Sequence, residues 1–160
     1  MTNNDVLRRV RFIFDFNDSK MIAIFALADK EVSRELISNY LKKEEDDDYQ
    51  ECPDTELAIF LNGLINDKRG KKEGPQAEPE KVMTNNVVLR KLKIALDLKN
   101  DDLLELMKLG GVNISKHELS AFFRRADHKH FRYCKDQVMR NFLRGLQFKN
   151  RPETKTSKDT

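Results

Sequence analysis

Residues 2–15 read TNNDVLRRVRFIFD and residues 84–97 read TNNVVLRKLKIALD. Thr, Asn, Asn, Val, Leu, Arg and a closing Asp stand at matched positions in the two stretches. Carried outward in the same register without a gap, the match pairs residues 2–65 with 84–147, and 16 of the 64 pairs are identical. Among them are Leu27/Leu109, Ser33/Ser115, Cys52/Cys134, Asp54/Asp136, Phe60/Phe142, Leu61/Leu143, Gly63/Gly145 and Leu64/Leu146. Others keep their chemistry, such as Phe12/Ile94, Met21/Leu103, Tyr40/Phe122 and Tyr49/Phe131. The chain is one unit written twice.

Each copy reads as four helices. Val6, Val10 and Ile13, and in the second copy Val88, Leu92 and Ala95, recur at helical spacing, which predicts a first helix over about 5–15 capped by Asn3 or Asn4. The second helices are expected over 18–28 and 100–109, with Leu103, Leu104 and Met107 inward. Gly110-Gly111 stops the later one, whereas Ala28-Asp29 at the matching place predicts a differently built end. The third helices open at Ser33 and Ser115, the latter with Glu118 at capping-box spacing. The fourth open near Asp54 and Asp136, just after Pro53 in the first copy. The fold class is all-α: two tandem four-helix repeats from an internal duplication, expected to pack with pseudo-twofold symmetry. The divisions are a first repeat over 1–66, a solvated Lys-, Glu-, Gly- and Pro-rich linker over 67–82, a second repeat over 83–148, and a disordered tail over 149–160.

Six Gly and four Pro in 160 residues suit helices better than a many-turned β protein. No stretch approaches the roughly 18–20 apolar residues of a membrane span, and no apolar run follows a basic N-terminus. Two cysteines are too few for a disulfide scaffold, so a reducing, cytoplasmic setting is expected. The formal charge of +3 hides an asymmetry. Residues 1–82 hold 13 Lys/Arg against 18 Asp/Glu, a balance of −5, and residues 83–160 hold 17 against 9, a balance of +8.

The repeated TNNxVLRxxxxxxD signature carries a further reading. So do the endings CPDxxLxxFLxGL and CxDxxxxxFLxGL, and the Lys68-Arg69-Gly70 that precedes a linker containing Glu78-Pro79-Glu80. Together these resemble the YehS-like family of uncharacterised bacterial proteins. The resemblance covers roughly residues 1–148. It implies a two-copy helical protein with no assigned activity, and it supplies no catalytic or binding residues.

Function must then be sought in the charge pattern. In the second copy, residues 122–140 (FFRRADHKHFRYCKDQVMR) interleave basic and aromatic side chains. Arg124, Arg125, Lys129, Arg132, Lys135, Arg140 and Arg144 are the cations that would meet phosphates of DNA or RNA. Phe131 or Tyr133, if exposed, would stack on bases. Phe131 is paired with Tyr49 and Phe122 with Tyr40, which favours burial of these rings and argues against stacking. In the first copy, Glu44, Glu45, Asp46, Asp47 and Asp48 occupy the positions of Ala126, Asp127, His128, Lys129 and His130. Acid faces base almost position by position, as in surfaces that guide association. The leading expectation is therefore a binding or adaptor protein that associates with a protein partner or with itself, as a homodimer; the alternative is nucleic-acid binding through the basic copy.

Other chemistries find less support. The segment from Asp101 to Arg125 has a helix-turn-helix outline, with Gly110-Gly111 in the turn and Ser115, Lys116, His117 and Ser120 on the second helix, but the first copy lacks the glycines. Asp127, His128, His130 and Cys134 suggest zinc, but Cys52 has no histidine neighbour and the spacing fits no standard finger. Asp46-Asp47-Asp48 lacks the glycine and distal glutamate of a calcium loop. No phosphate-binding glycine loop, nucleophile elbow or His-Glu-x-x-His occurs, so no enzyme, cofactor or metal is expected. Asp15/Asp97 and Asp54/Asp136 read as helix caps or partners of Arg8/Arg90. Two asparagines after each Thr exceed what a cap requires and suggest a further hydrogen bond, assigned to the contact between repeats.

Overall fold

The computed structural model describes residues 1–155. It divides into two units, Met1–Met83 and Thr84–Thr160. Among the described residues every regular element is a helix. The first unit holds α1 (Asn3–Phe14), α2 (Asp18–Leu27), α3 (Arg34–Leu41) and α4 (Asp54–Arg69). The second holds α5 (Asn85–Ala95), α6 (Asn100–Leu109), α7 (Lys116–Phe122) and α8 (Asp136–Asn150), followed by a 3-10 turn at Pro152–Thr154.

Each helix starts where its chemistry allows. The caps of α1 and α5 are Thr2 and Thr84, not the asparagines. Asp5 N–H donates to Thr2 Oγ1 at 3.0 Å, Thr2 N–H donates back to Asp5 at 2.9 Å, and Val87 N–H donates to Thr84 Oγ1 at 3.3 Å. Ser33 and Ser115 cap α3 and α7 through Leu36 N–H and Glu118 N–H, each at 3.0 Å. The Glu118 carboxylate takes the Ser115 hydroxyl at 3.4 Å. The ends of α2 and α6 are built alike, against the sequence expectation. Lys30 N–H reaches Phe25 O at 3.1 Å as Val112 N–H reaches Met107 O at 2.9 Å. Asp29 takes the left-handed conformation (φ 61°) that Gly111 takes at φ 106°. Asp15 and Asp97, both left-handed, close α1 and α5 in the same way, which accounts for an aspartate there in both copies.

The core of each unit is the inward face of these helices. In the first, Leu7, Val10, Ile13, Met21, Ile24, Phe25, Ile37, Leu57, Phe60, Leu61 and Leu64 are at most 1 % exposed, so the apolar stripes are spent on packing. In the second, Leu103 and Met107 point inward as expected, but Leu106 is buried where Leu104 is only half-buried. The long helices α4 and α8 are the centre posts, against which α2 and α6 lie.

Two boundaries move. Helix α4 runs on to Arg69, so the connecting segment begins at Gly70 rather than 67. That segment is tied back to the first unit: Asn66 donates to Leu27 O and to Gln76 Oε1, both at 2.8 Å, and Lys71 pairs with Asp29 at 2.6 Å. The tail expected to be disordered from Lys149 is ordered as far as Lys155. Helix α8 includes Lys149 and Asn150, and the 3-10 turn folds onto it. The order comes from polar contacts: Gln147 donates to Thr154 Oγ1 at 3.0 Å, and Lys155 sits over the Phe148 ring at 5.8 Å. Residues 156–160 lie outside the described residues.

Candidate functional site

The charged residues sit on the loops between the third and fourth helices, over 42–53 and 123–135. Each loop is held at its base by one buried asparagine. Asn4 Nδ2 donates to Tyr40 O at 2.9 Å and Gln50 O at 2.8 Å, and Asn4 Oδ1 accepts from Cys52 N–H at 3.0 Å. Asn86 does the same with Phe122 O at 3.0 Å, Arg132 O at 2.8 Å and Cys134 N–H at 3.0 Å. One side chain thus joins the end of the third helix to the returning strand of the loop. The neighbouring asparagine adds a second tie. Asn3 donates to Cys52 O at 2.9 Å and to Asp54 Oδ1 at 2.7 Å, and Asn85 donates to Cys134 O at 2.9 Å and Asp136 Oδ1 at 2.8 Å. This corrects the expectation that the paired asparagines bridge the repeats: each bonds within its own unit. Asp54 also accepts Met83 N–H at 3.0 Å, and Arg8 pairs with Asp5 rather than Asp15 and donates to Lys42 O at 2.6 Å. Against partial burial, which would raise it, the hydrogen bonds from Thr2 and Arg8 hold the Asp5 carboxyl below its ordinary value.

The loops themselves follow one path. Asp46 N–H bonds Lys43 O at 3.0 Å where His128 N–H bonds Arg125 O at 2.9 Å. Tyr49 N–H bonds Asp46 O at 3.1 Å where Phe131 N–H bonds His128 O at 3.0 Å. Even the internal side-chain tie is repeated: Asp46 Oδ1 accepts Asp48 N–H at 2.9 Å, and His128 Nδ1 accepts His130 N–H at 3.0 Å. The same backbone therefore displays Glu44, Glu45, Asp47 and Asp48 in one unit and Lys129 and His130 beside Arg125 and Arg132 in the other, all exposed.

Of the seven basic candidates, Arg124, Arg125, Lys129, Arg132 and Lys135 share the second loop. Arg124 is turned inward to His130 O at 3.2 Å, and Arg125 pairs with Asp127 at 3.4 Å. Arg140 and Arg144 lie apart on α8, Arg140 near Asp136 at 4.0 Å and Arg144 over the Phe148 ring at 5.5 Å. Burial of the aromatics is uneven. Phe122 is in the core and Phe123 and Phe131 are half-buried, but Tyr133 is 68 % exposed.

Cys52 and Cys134 are buried. Burial and then the carboxylates of Glu56 and Asp54 push the Cys52 thiol up to about 12; burial and then Asp136 push Cys134 up to about 12. Both are inert at neutral pH. A thiol-reactive chromogen is therefore expected to label neither cysteine in the native protein over minutes, and both at once in denaturant; rapid native labelling would contradict this burial. Among the described residues no three His, Cys, Asp or Glu side chains gather as a metal site, and no helix is long and apolar enough to cross a membrane. The helix-turn-helix outline keeps its turn, with Gly111 left-handed at φ 106° and Ser115, Lys116, His117 and Ser120 exposed, while Gly110 is buried where a methyl group would overlap the Asn141 carbonyl.

Fold and loops together define a tandem helical repeat protein that presents two clasped loops of opposite charge. The chain belongs to the family described as a protein of unknown function, DUF1456, whose model matches residues 3–70 and 85–151, one match for each repeat. It is 47 % identical over 147 residues to the uncharacterized protein YehS of Escherichia coli (strain K12), covering 91 % of this chain and 94 % of that one. No solved structure gives a significant match.

Proposed function

We propose that the chain is a non-enzymatic association module, in which the acidic loop of one copy docks on the basic loop of a second copy. The observation that carries this is the pair of loops with one backbone path and opposite charge. Fixed backbones keep the charges in register, and the tips, being exposed, are reached without unfolding. A pair in which each acidic loop meets the other chain's basic loop is closed and self-limiting, the commonest form of oligomer.

Sedimentation velocity at about 50 mM and about 500 mM salt tests this, because contacts between exposed charges are screened beyond a few ångströms at the higher strength. We expect twice the chain mass of 18.8 kDa at low salt and the single mass at high salt. Glu44→Lys/Glu45→Lys/Asp47→Lys should be monomeric throughout, as should Arg125→Glu/Lys129→Glu/Arg132→Glu, which leaves the second loop with more acids than cations. Mixing the two variants should restore a pair, since one then carries two basic loops and the other two acidic ones. Asp46 is left alone because it closes the turn. A wild-type monomer at low salt, or a dimer indifferent to both variants, would sink the reading.

A further inference from the structure

We infer that the second loop also binds single-stranded nucleic acid, with the Tyr133 ring stacking on a base and Lys129, Arg132 and Lys135 meeting the backbone phosphates. Tyr133 is 68 % exposed. Yet it is not loose. Its ring stands edge-on to Phe131 with centroids 4.9 Å apart and planes at 83°. Both of its chain neighbours are gripped by Asn86, Arg132 through its carbonyl and Cys134 through its N–H. A flat apolar ring held out in water on an immobilised backbone is a ready platform, since little ordering is left for a base to impose.

The cations fit the same ligand. Lys129, Arg132 and Lys135 are exposed. Between Arg124 and Lys135 the one acid is Asp127, which Arg125 already occupies at 3.4 Å. The first unit serves as an internal control. It builds the same loop with Asp47, Tyr49, Gln50, Glu51 and Pro53 where the second has Lys129, Phe131, Arg132, Tyr133 and Lys135. The fold therefore requires neither the ring nor the charges. A single strand is favoured over a duplex because a protruding ring can stack only on a base that is unpaired and turned outward.

This goes beyond the self-association reading and can fail separately from it. The test is fluorescence anisotropy of the full chain with labelled oligo-U, oligo-dT and a mixed-sequence duplex of about 20 nucleotides, with heparin as a polyanion without bases, at about 50 mM and about 150 mM salt. Sizing runs in the same buffers. We expect both single strands to bind more tightly than the duplex, with a preference between them assigning RNA or DNA. Tyr133→Ala should weaken binding about tenfold and Tyr133→Phe should retain it, as loss of one stacked base predicts. Arg132→Glu/Lys135→Glu should weaken binding more than Tyr133→Ala does and flatten the salt dependence of what remains. All these side chains are exposed, so unchanged melting of each variant checks the fold. No binding at the lower salt, at protein concentrations where sizing gives the single mass, would overturn the inference. So would indifference to Tyr133→Ala, or displacement by heparin with a duplex bound equally well. If no oligonucleotide binds while Arg132→Glu/Lys135→Glu lowers the mass seen by sizing, the face is a protein contact instead.

Discussion

Asn4→Ala is expected to destabilise the first unit by about 3–5 kcal/mol, and Asn86→Ala the second by a similar amount, because each substitution strands one N–H and two carbonyls. The side chains concerned are 1 % and 3 % exposed, so water cannot readily replace the lost partners. A neutral hydrogen bond is worth about 1 kcal/mol net, but an unpaired buried group costs about 1–3 kcal/mol, and two are left at once in each unit, Tyr40 O with Cys52 N–H and Phe122 O with Cys134 N–H, beside a part-buried carbonyl. For a unit of this size the loss corresponds to a drop in melting temperature of more than about 10 °C. The loop above the clasp should loosen first, visible as faster amide exchange at Gln50 and Cys52, or at Arg132 and Cys134, before the core helices open.

Asn4→Asp sharpens the same argument. The shape is kept, but an ionised carboxylate would face the carbonyls of Tyr40 and Gln50 with no proton to offer. Burial and those two carbonyls raise its pKa above the ordinary carboxylate value. A group whose pKa is raised by folding lowers stability as pH climbs through that value, since the unfolded chain releases the proton more easily. Asn4→Asp should therefore resemble Asn4→Ala near pH 4 and fall well below it near pH 8, about the range over which such a carboxyl ionises. Urea titrations at both pH values check this. A variant as stable as wild type at either end would mean that the clasp is ornamental.

The repeat and the helix starts were legible because they are written in side chains: Ser33, Ser115, Asp54 and Asp136 each stand where a helix opens. The clasp was not legible. Asn4 and Asn86 bond to backbone groups, and a carbonyl has no letter of its own in the sequence, so a partner 36 or 46 residues away leaves no trace. The caps were misassigned because Thr and Asn are both good cap residues, and only geometry separates them. The ordered stretch to Lys155 was missed because composition registers apolar content, whereas Gln147 and Thr154 hold the turn by a hydrogen bond. Exposure of Tyr133 could have been read. Its counterpart is Glu51, a residue that must face water, and pairing the copies at that position would have placed the ring outside with it.

Gly63→Ala and Gly145→Ala set two effects of opposite sign against each other. By helix propensity alone each should stabilise, since alanine is favoured over glycine by about 1 kcal/mol in a helix interior. The packing says the reverse. Gly63 is buried on α4 where α2 crosses so closely that an added methyl would fall on the Ile24 carbonyl; at Gly145, on α8, it would fall on the Leu106 carbonyl. Backbone cannot step aside as a flexible side chain does, so the two helices must separate. Their separation opens the contact between Phe25 and Phe60, whose ring centroids lie 5.2 Å apart. Overpacking of this kind costs about 1–3 kcal/mol and more where backbone is struck. The net expectation is a loss of about 2 kcal/mol or more per site in urea unfolding, against a change within about 0.5 kcal/mol for Lys149→Ala on an exposed position of α8. The damage should also reach the loops. Helix α4 begins at Asp54, which Asn3 holds, and α8 at Asp136, which Asn85 holds, so moving either post drags the returning strand of its loop. Gly145→Ala should therefore weaken the contacts made by the Tyr133 face even at temperatures where the unit is still folded, and Gly63→Ala should leave that face unchanged. Equal or greater stability in either glycine variant would show that the helices have room to spare, and the close crossing would lose its part in positioning the loops.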